Sequence, residues 1–136
     1  MWKRKQNKLY DKPLKFPKWT IINILDTDEY YMIWNQSTKK KFISKRAYES
    51  WGRKALIVTK ESIVNFKLFG QLGFRSGSVV EYFATGKKYY VMDDVLQEIT
   101  TPDFFDVLGY NINDCIKVSL SEIDFHKMGD QIREVI

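Results

Sequence analysis

The chain has one cysteine and one histidine in 136 residues, and that scarcity removes whole classes of chemistry. Cys115 alone cannot form an internal disulfide, and between Ile112 and Ile116 it reads as a buried, inert thiol. His126 alone excludes a multi-histidine metal site, and any catalytic triad would depend on it. In Asp124-Phe125-His126, residues two apart on a helix do not face each other, so His126 reads as a surface or helix-end residue. Glycine is sparse, and Gly70-Gln71-Leu72-Gly73 lacks the Gly-Lys-Ser/Thr ending of a phosphate-binding loop. No stretch approaches the ~20 apolar residues that span a bilayer. The basic start, Met1 to Lys8, has no apolar run behind it of the kind a secretory signal carries. The expectation is a chain made and kept in a cytoplasm, with no membrane role.

The acidic pairs have structural explanations. Asp93-Asp94 sits where a hairpin turn is expected. Asp103 and Asp106 share a helical face, but Asp103 lies in a first turn, where negative charge suits the helix dipole. No catalytic, metal-ligating or cofactor-binding residue is assigned, so the chain reads as a non-enzyme without a cofactor.

What the sequence does contain is an internal duplication at an offset of about 58 to 60 residues. Phe16-Pro17-Lys18-Trp19-Thr20-Ile21-Ile22 aligns with Phe74-Arg75-Ser76-Gly77-Ser78-Val79-Val80. Glu29-Tyr30-Tyr31-Met32-Ile33 aligns with Lys88-Tyr89-Tyr90-Val91-Met92, and Trp51-Gly52 with Leu108-Gly109. Ile57-Val58-Thr59 aligns with Lys117-Val118-Ser119, and both copies run on to a glycine, Gly70 or Gly129.

Local signals give one order in each copy: strand, strand, strand, helix, short strand, helix. In the first copy the strands are 20–24, 29–34 and 39–43; Ser44 caps a helix 45–51 and Thr59 another, 60–66. In the second the strands are 78–83, 88–92 and 95–99. Thr101 and Pro102 open a helix that Gly109 ends, and Ser119-Leu120-Ser121-Glu122 is a capping box. The fold class is α+β: two tandem related lobes, each a small antiparallel sheet with two short helices, behind a basic N-terminal arm. The divisions are 1–15 for the extended arm, 16–72 for the first lobe and 73–136 for the second. Residues 66–74 are too apolar for a free linker and are expected to pack between the lobes.

Charge separates the copies. Residues 1–77 hold 17 Lys+Arg and 6 Asp+Glu, a balance of +11; residues 78–136 hold 5 and 11, a balance of −6. Trp2, Lys3, Arg4, Lys5 and Lys8 in the arm, with Trp34, Lys39, Lys41, Lys45 and Arg46 in the first lobe, are the candidate partner-binding residues. Aromatic residues beside cations also suit single-stranded nucleic acid, which is the alternative reading. Alternate strand residues face opposite ways, however, so Lys39, Lys40 and Lys41 cannot form one patch.

The second copy resembles a short repeat of bacterial surface or secreted proteins and of phage virion proteins. The residues that carry the resemblance are Gly77-Ser78-Val79-Val80, Tyr89-Tyr90-Val91-Met92 and Ile99-Thr100-Thr101-Pro102-Asp103-Phe104. They continue through Leu108-Gly109-Tyr110, Asp114-Cys115-Ile116-Lys117-Val118-Ser119 and Gly129. The match covers 74–132 well and 16–72 weakly, and it departs at the hairpin Asp93-Asp94-Val95-Leu96-Gln97-Glu98, where the repeat pattern is Asp-Gly-Lys-Lys-Arg. The resemblance implies recognition or attachment and supplies no catalytic residue. With no export signal, it implies a structural or adaptor component of a phage-like virion, from a tail, baseplate, neck or capsid surface, assembled in the host cytoplasm. Its expected partners are other virion proteins with acidic surfaces, and a symmetric or head-to-tail oligomer.

Overall fold

A computed structural model describes residues 15–135, which divide into two units, one ending at Leu72 and one beginning at Gly73. In the first, Thr20 donates its N–H and its hydroxyl to Pro17 O, and this turn launches β1 (Ile21–Ile24). β2 (Tyr30–Ile33) and β3 (Thr38–Phe42) follow as an antiparallel meander. Ser44 caps the short helix α1 (Lys45–Glu49) by accepting from Ala47 N–H. β4 (Leu56–Val58) then pairs parallel to β1, a 3₁₀ turn covers Lys60–Ile63, and β5 (Lys67–Leu72) pairs parallel to β3. The sheet order is β4-β1-β2-β3-β5.

The second unit repeats this plan: β6 (Val79–Tyr82), β7 (Lys88–Met92), β8 (Val95–Glu98), α2 (Asp103–Leu108), β9 (Ile116–Val118), α3 (Leu120–Phe125) and β10 (Lys127–Met128). The sheet order, β9-β6-β7-β8-β10, and the sense of every pairing match the first unit strand for strand. The two halves are one topology built twice.

Hydrogen bonds refine the alignment. Ile33 N–H bonds Thr20 O, and Val91 N–H bonds Ser78 O; Ile24 N–H bonds Glu29 O, and Tyr82 N–H bonds Lys87 O. These pairs keep one offset through the whole first hairpin. Tyr89 therefore corresponds to Tyr31, and Tyr30 to Lys88. This corrects the one-residue gap expected from aligning the Tyr-Tyr pairs, because the two turns are the same length. Gly70 and Gly129 are likewise not equivalent: Leu72 pairs with Phe42 and accepts from Ile43 N–H as Ile132 pairs with Ile99 and accepts from Thr100 N–H, which places Phe69 against Gly129.

Two other expectations change. Residues 67–72, which carry no strand signal in the sequence, form β5, hydrogen-bonded along β3. Gly129 does not close a helix: α3 ends at His126, and Gly129 follows β10. Each unit thus has a fifth strand where no separate strand was expected. β5 carries one extra residue against β3, a β-bulge that includes Gly70 at φ 89°, and one extra residue likewise separates β10 from the Ile99–Ile132 bridge.

Some equivalent positions do the same work with different side chains. Trp19 and Gly77 both take positive φ, at 71° and 93°, just before the first strand. The carbonyl of Trp19 accepts from Arg53, and that of Gly77 accepts from the Tyr110 hydroxyl. Asp93 and Asp94, both at positive φ, make the two-residue turn between β7 and β8, which settles them as turn residues.

Candidate functional site: a lysine-lined slot in the first lobe

One face of the first sheet carries Ile22, Ile24, Ile33 and Val58, sealed by Ile63 and Phe66 and flanked by Tyr31 and Leu56. β3 borders this core, and its sequence is anomalous beside that of its twin. The paired registers set Thr38 against Val95 and Lys39 against Leu96, and Leu96 is fully buried in the second lobe. The first lobe therefore places a lysine where the same scaffold accepts a core leucine. The Thr38 hydroxyl is buried without a hydrogen-bond partner, at a position where Val95 has no polar atom to satisfy. The unsatisfied hydroxyl carries a desolvation cost, and both exchanges fall in one strand.

Lys39 is half-buried, and burial pushes its ammonium below the ordinary lysine range. Its head donates to Ile63 O (3.4 Å), at the end of the 3₁₀ segment, and to Phe66 O, just before β5. The Tyr31 ring lies 5.7 Å from the Lys39 ammonium and 5.9 Å from that of Lys41. Lys41 forms an ion pair with Glu29 (3.6 Å), and Tyr31 donates its hydroxyl to the same Glu29 oxygen (3.0 Å). Ile24, Glu29, Tyr31, Lys39, Lys60, Ile63 and Val64 line an open slot of about 170 Å³.

Burial first, then the Glu29 hydrogen bond and charge, push the Tyr31 phenol up to about 12. Its folded value lies above the ordinary one of about 10, so the stability it contributes is complete below pH 10 and is lost as pH rises toward 12. Burial also raises Tyr89 and Tyr110. Alkaline titration followed by tyrosinate absorbance is expected to show Tyr31 among the last phenols to ionise, with Tyr31→Phe deleting that late step. A step left intact in Tyr31→Phe would refute the assignment.

The structure brings together only part of the set named from sequence. Lys39 and Lys41 flank Tyr31 on one face of β3. Trp34 belongs with Lys40 on the other face, ring to ammonium at 3.8 Å, and the Phe69 ring lies 5.7 Å from the same ammonium. Lys45 instead lines a shallow groove with Asp26, Asp28 and Tyr30. Arg46 lies in the last turn of α1, where positive charge suits the dipole. Trp2, Lys3, Arg4, Lys5 and Lys8 lie outside the described residues. Sequence reading missed Glu29, Tyr31 and Lys60; the signal that could have found them is the cross-strand pairing of Tyr31 with Lys41.

The second lobe has the reverse arrangement. Glu98 stands opposite Tyr89 where Lys41 stands opposite Tyr31. Lys87 occupies the position of Glu29, and Leu120 that of Lys60, one residue after the caps Ser119 and Thr59.

The reactive side chains elsewhere are committed to structure. His126 is buried, not superficial, although it does end a helix. Its Nδ1 bonds Glu122 O (2.8 Å) and its Nε2 accepts from Phe74 N–H (3.3 Å), so both ring nitrogens are engaged. It stacks on Phe74 as Phe66 packs on Phe16 in the first lobe, and so serves as a core ring. The Cys115 thiol donates to Ile112 O, and burial pushes its pKa up. Among the described residues no group of three potential metal ligands occurs, and no helix is long and apolar enough to cross a membrane. No protein-family model, curated protein or solved structure matches the chain.

Proposed function

We propose that this protein is a non-enzymatic adaptor or structural component of a phage-like virion, from a tail, baseplate, neck or capsid surface, and acts by docking onto other virion proteins. One observation carries the docking reading: a single scaffold is built twice, with charge reversed around equivalent tyrosines, Lys41 and Glu29 at Tyr31 against Glu98 and Lys87 at Tyr89. A duplicated scaffold that keeps its topology and inverts its surface charge offers two different contacts from one chain. The first lobe suits an acidic neighbour, and the reversed signs also suit a head-to-tail contact between copies. The virion setting rests on the resemblance of the second lobe to repeats of phage virion proteins.

Mass spectrometry of purified particles is expected to find the chain at fixed stoichiometry. Added protein should co-sediment with particles that lack it, and the double variant Lys39→Leu, Lys41→Glu, which carries the second lobe's residues, should do so at least ~10-fold less well. Absence from particles overturns the virion setting.

The Trp34–Lys40 pair beside Phe69 favours a second reading, single-stranded nucleic acid, since stacking rings beside a cation are what such surfaces use. Filter binding with a steep log–log salt dependence would support that reading in place of protein docking.

A further inference from the structure

We infer that the slot around Lys39 is a receptor for a carboxylate side chain on an acidic partner segment. This deepens the docking reading and rests on it. An ammonium has three N–H donors. Two of those on Lys39 are taken by Phe66 O and Ile63 O, and the third has no hydrogen-bond acceptor among the described residues.

The slot's charges do not cancel. Glu29 is the one acid lining it, and it is already held by Lys41 and the Tyr31 hydroxyl. Lys39 and Lys60 remain as uncompensated cations in a recess walled by Ile24, Ile63 and Val64. A recess of about 170 Å³ has room for a carboxylate and its methylene stem, not for a large ligand. An acidic group entering it would meet a pre-positioned donor, the carbonyls having fixed the Lys39 head, and so would lose less to ordering than at a free surface lysine. The raised Tyr31 phenol stays neutral and adds no repelling charge.

The second lobe shows what the site costs. With Leu96 at the Lys39 position and Leu120 at that of Lys60, the same fold has no cation there, and Leu96 is buried completely. The two carbonyls occupy part of the Lys39 ammonium, and a ligand accounts for the N–H they leave over and for Lys60 beside it.

The test uses the full chain with its lysines ¹³C-labelled at Cε, titrated with an N-acetylated peptide of alternating glycine and glutamate, and with its glutamine counterpart. The Lys39 and Lys60 resonances are expected to move together and saturably with the glutamate peptide only, while Lys54 stays still. Lys39→Leu should weaken binding at least ~10-fold while its melting temperature holds or rises, since the twin lobe already accepts leucine. Lys60→Leu changes a surface residue and should weaken binding without touching the core. Equal binding of both peptides, or unchanged binding by both variants, overturns the inference. The assay contains no particles, so its failure is distinct from a failure to co-sediment with virions.

Discussion

Phe104→Ala is expected to lose about 3–5 kcal/mol and to unfold the second lobe at a denaturant concentration the first still survives. Phe104 is 1% exposed and is the hub of an aromatic cluster: Phe105 and Tyr90 meet it edge-on at 5.3 and 5.6 Å, and Tyr110 stacks on it at 5.5 Å. Val79 and Phe105 complete the buried group. Removing the ring strips the others of their common partner, and Tyr110 is also the donor that holds Gly77 O at the start of β6. A unit of about 60 residues has only a few kcal/mol to lose. Chemical denaturation read by two-dimensional NMR should show the resonances of 73–135 collapsing before those of 15–72. A single unshifted transition would refute this.

Ala47→Phe is the reciprocal experiment and should cost about 1–3 kcal/mol, or more, in the first lobe. Ala47 is the counterpart of Phe104: each lies three residues after its helix-opening Ser44 or Thr101, and each is buried. The first lobe fills the equivalent space from other directions. Phe42 meets Tyr48 and Trp51 edge-on at 5.9 and 6.0 Å, and Tyr30 stacks on Tyr48 at 4.1 Å. Ala47 is fully buried, so a phenyl group there must displace neighbouring side chains, although the equivalent position of the twin lobe holds one. Thermal unfolding is the measurement. An unchanged midpoint would mean that the two cores are interchangeable, which their packing contradicts.

This pair also shows what the sequence could convey. Ser44, Ser119 and Gly109 are local signals, and the structure honours them as caps and as a left-handed helix end. The first three strands of each lobe were legible because alternation and turn residues act over a few positions. The fifth strands were not. β5 is exposed at five of its six residues, and β10 is two residues long, so neither carries a hydrophobic period; both exist because a neighbouring strand offers hydrogen bonds. The tyrosine equivalence slipped by one residue because Tyr-Tyr occurs in both copies and only the hydrogen-bond register separates the two alignments. For the site, Lys39 and Lys41 could be named as cations, but not the opposite conditions they meet. One is tied to backbone carbonyls and the other to Glu29, across a tyrosine that pairing alone brings near.

The extra residue in β5 has a consequence for crowding. A six-residue outer strand with Leu68 and Phe69 exposed is a template on which an unrelated chain could zip up into a growing ribbon. The kink at Gly70 interrupts the row of outward amides midway, and Lys67 puts a charge at its entrance. Backbone pairing along this edge is thereby disfavoured, and a contact made there would have to be made by side chains, which can discriminate where backbone cannot.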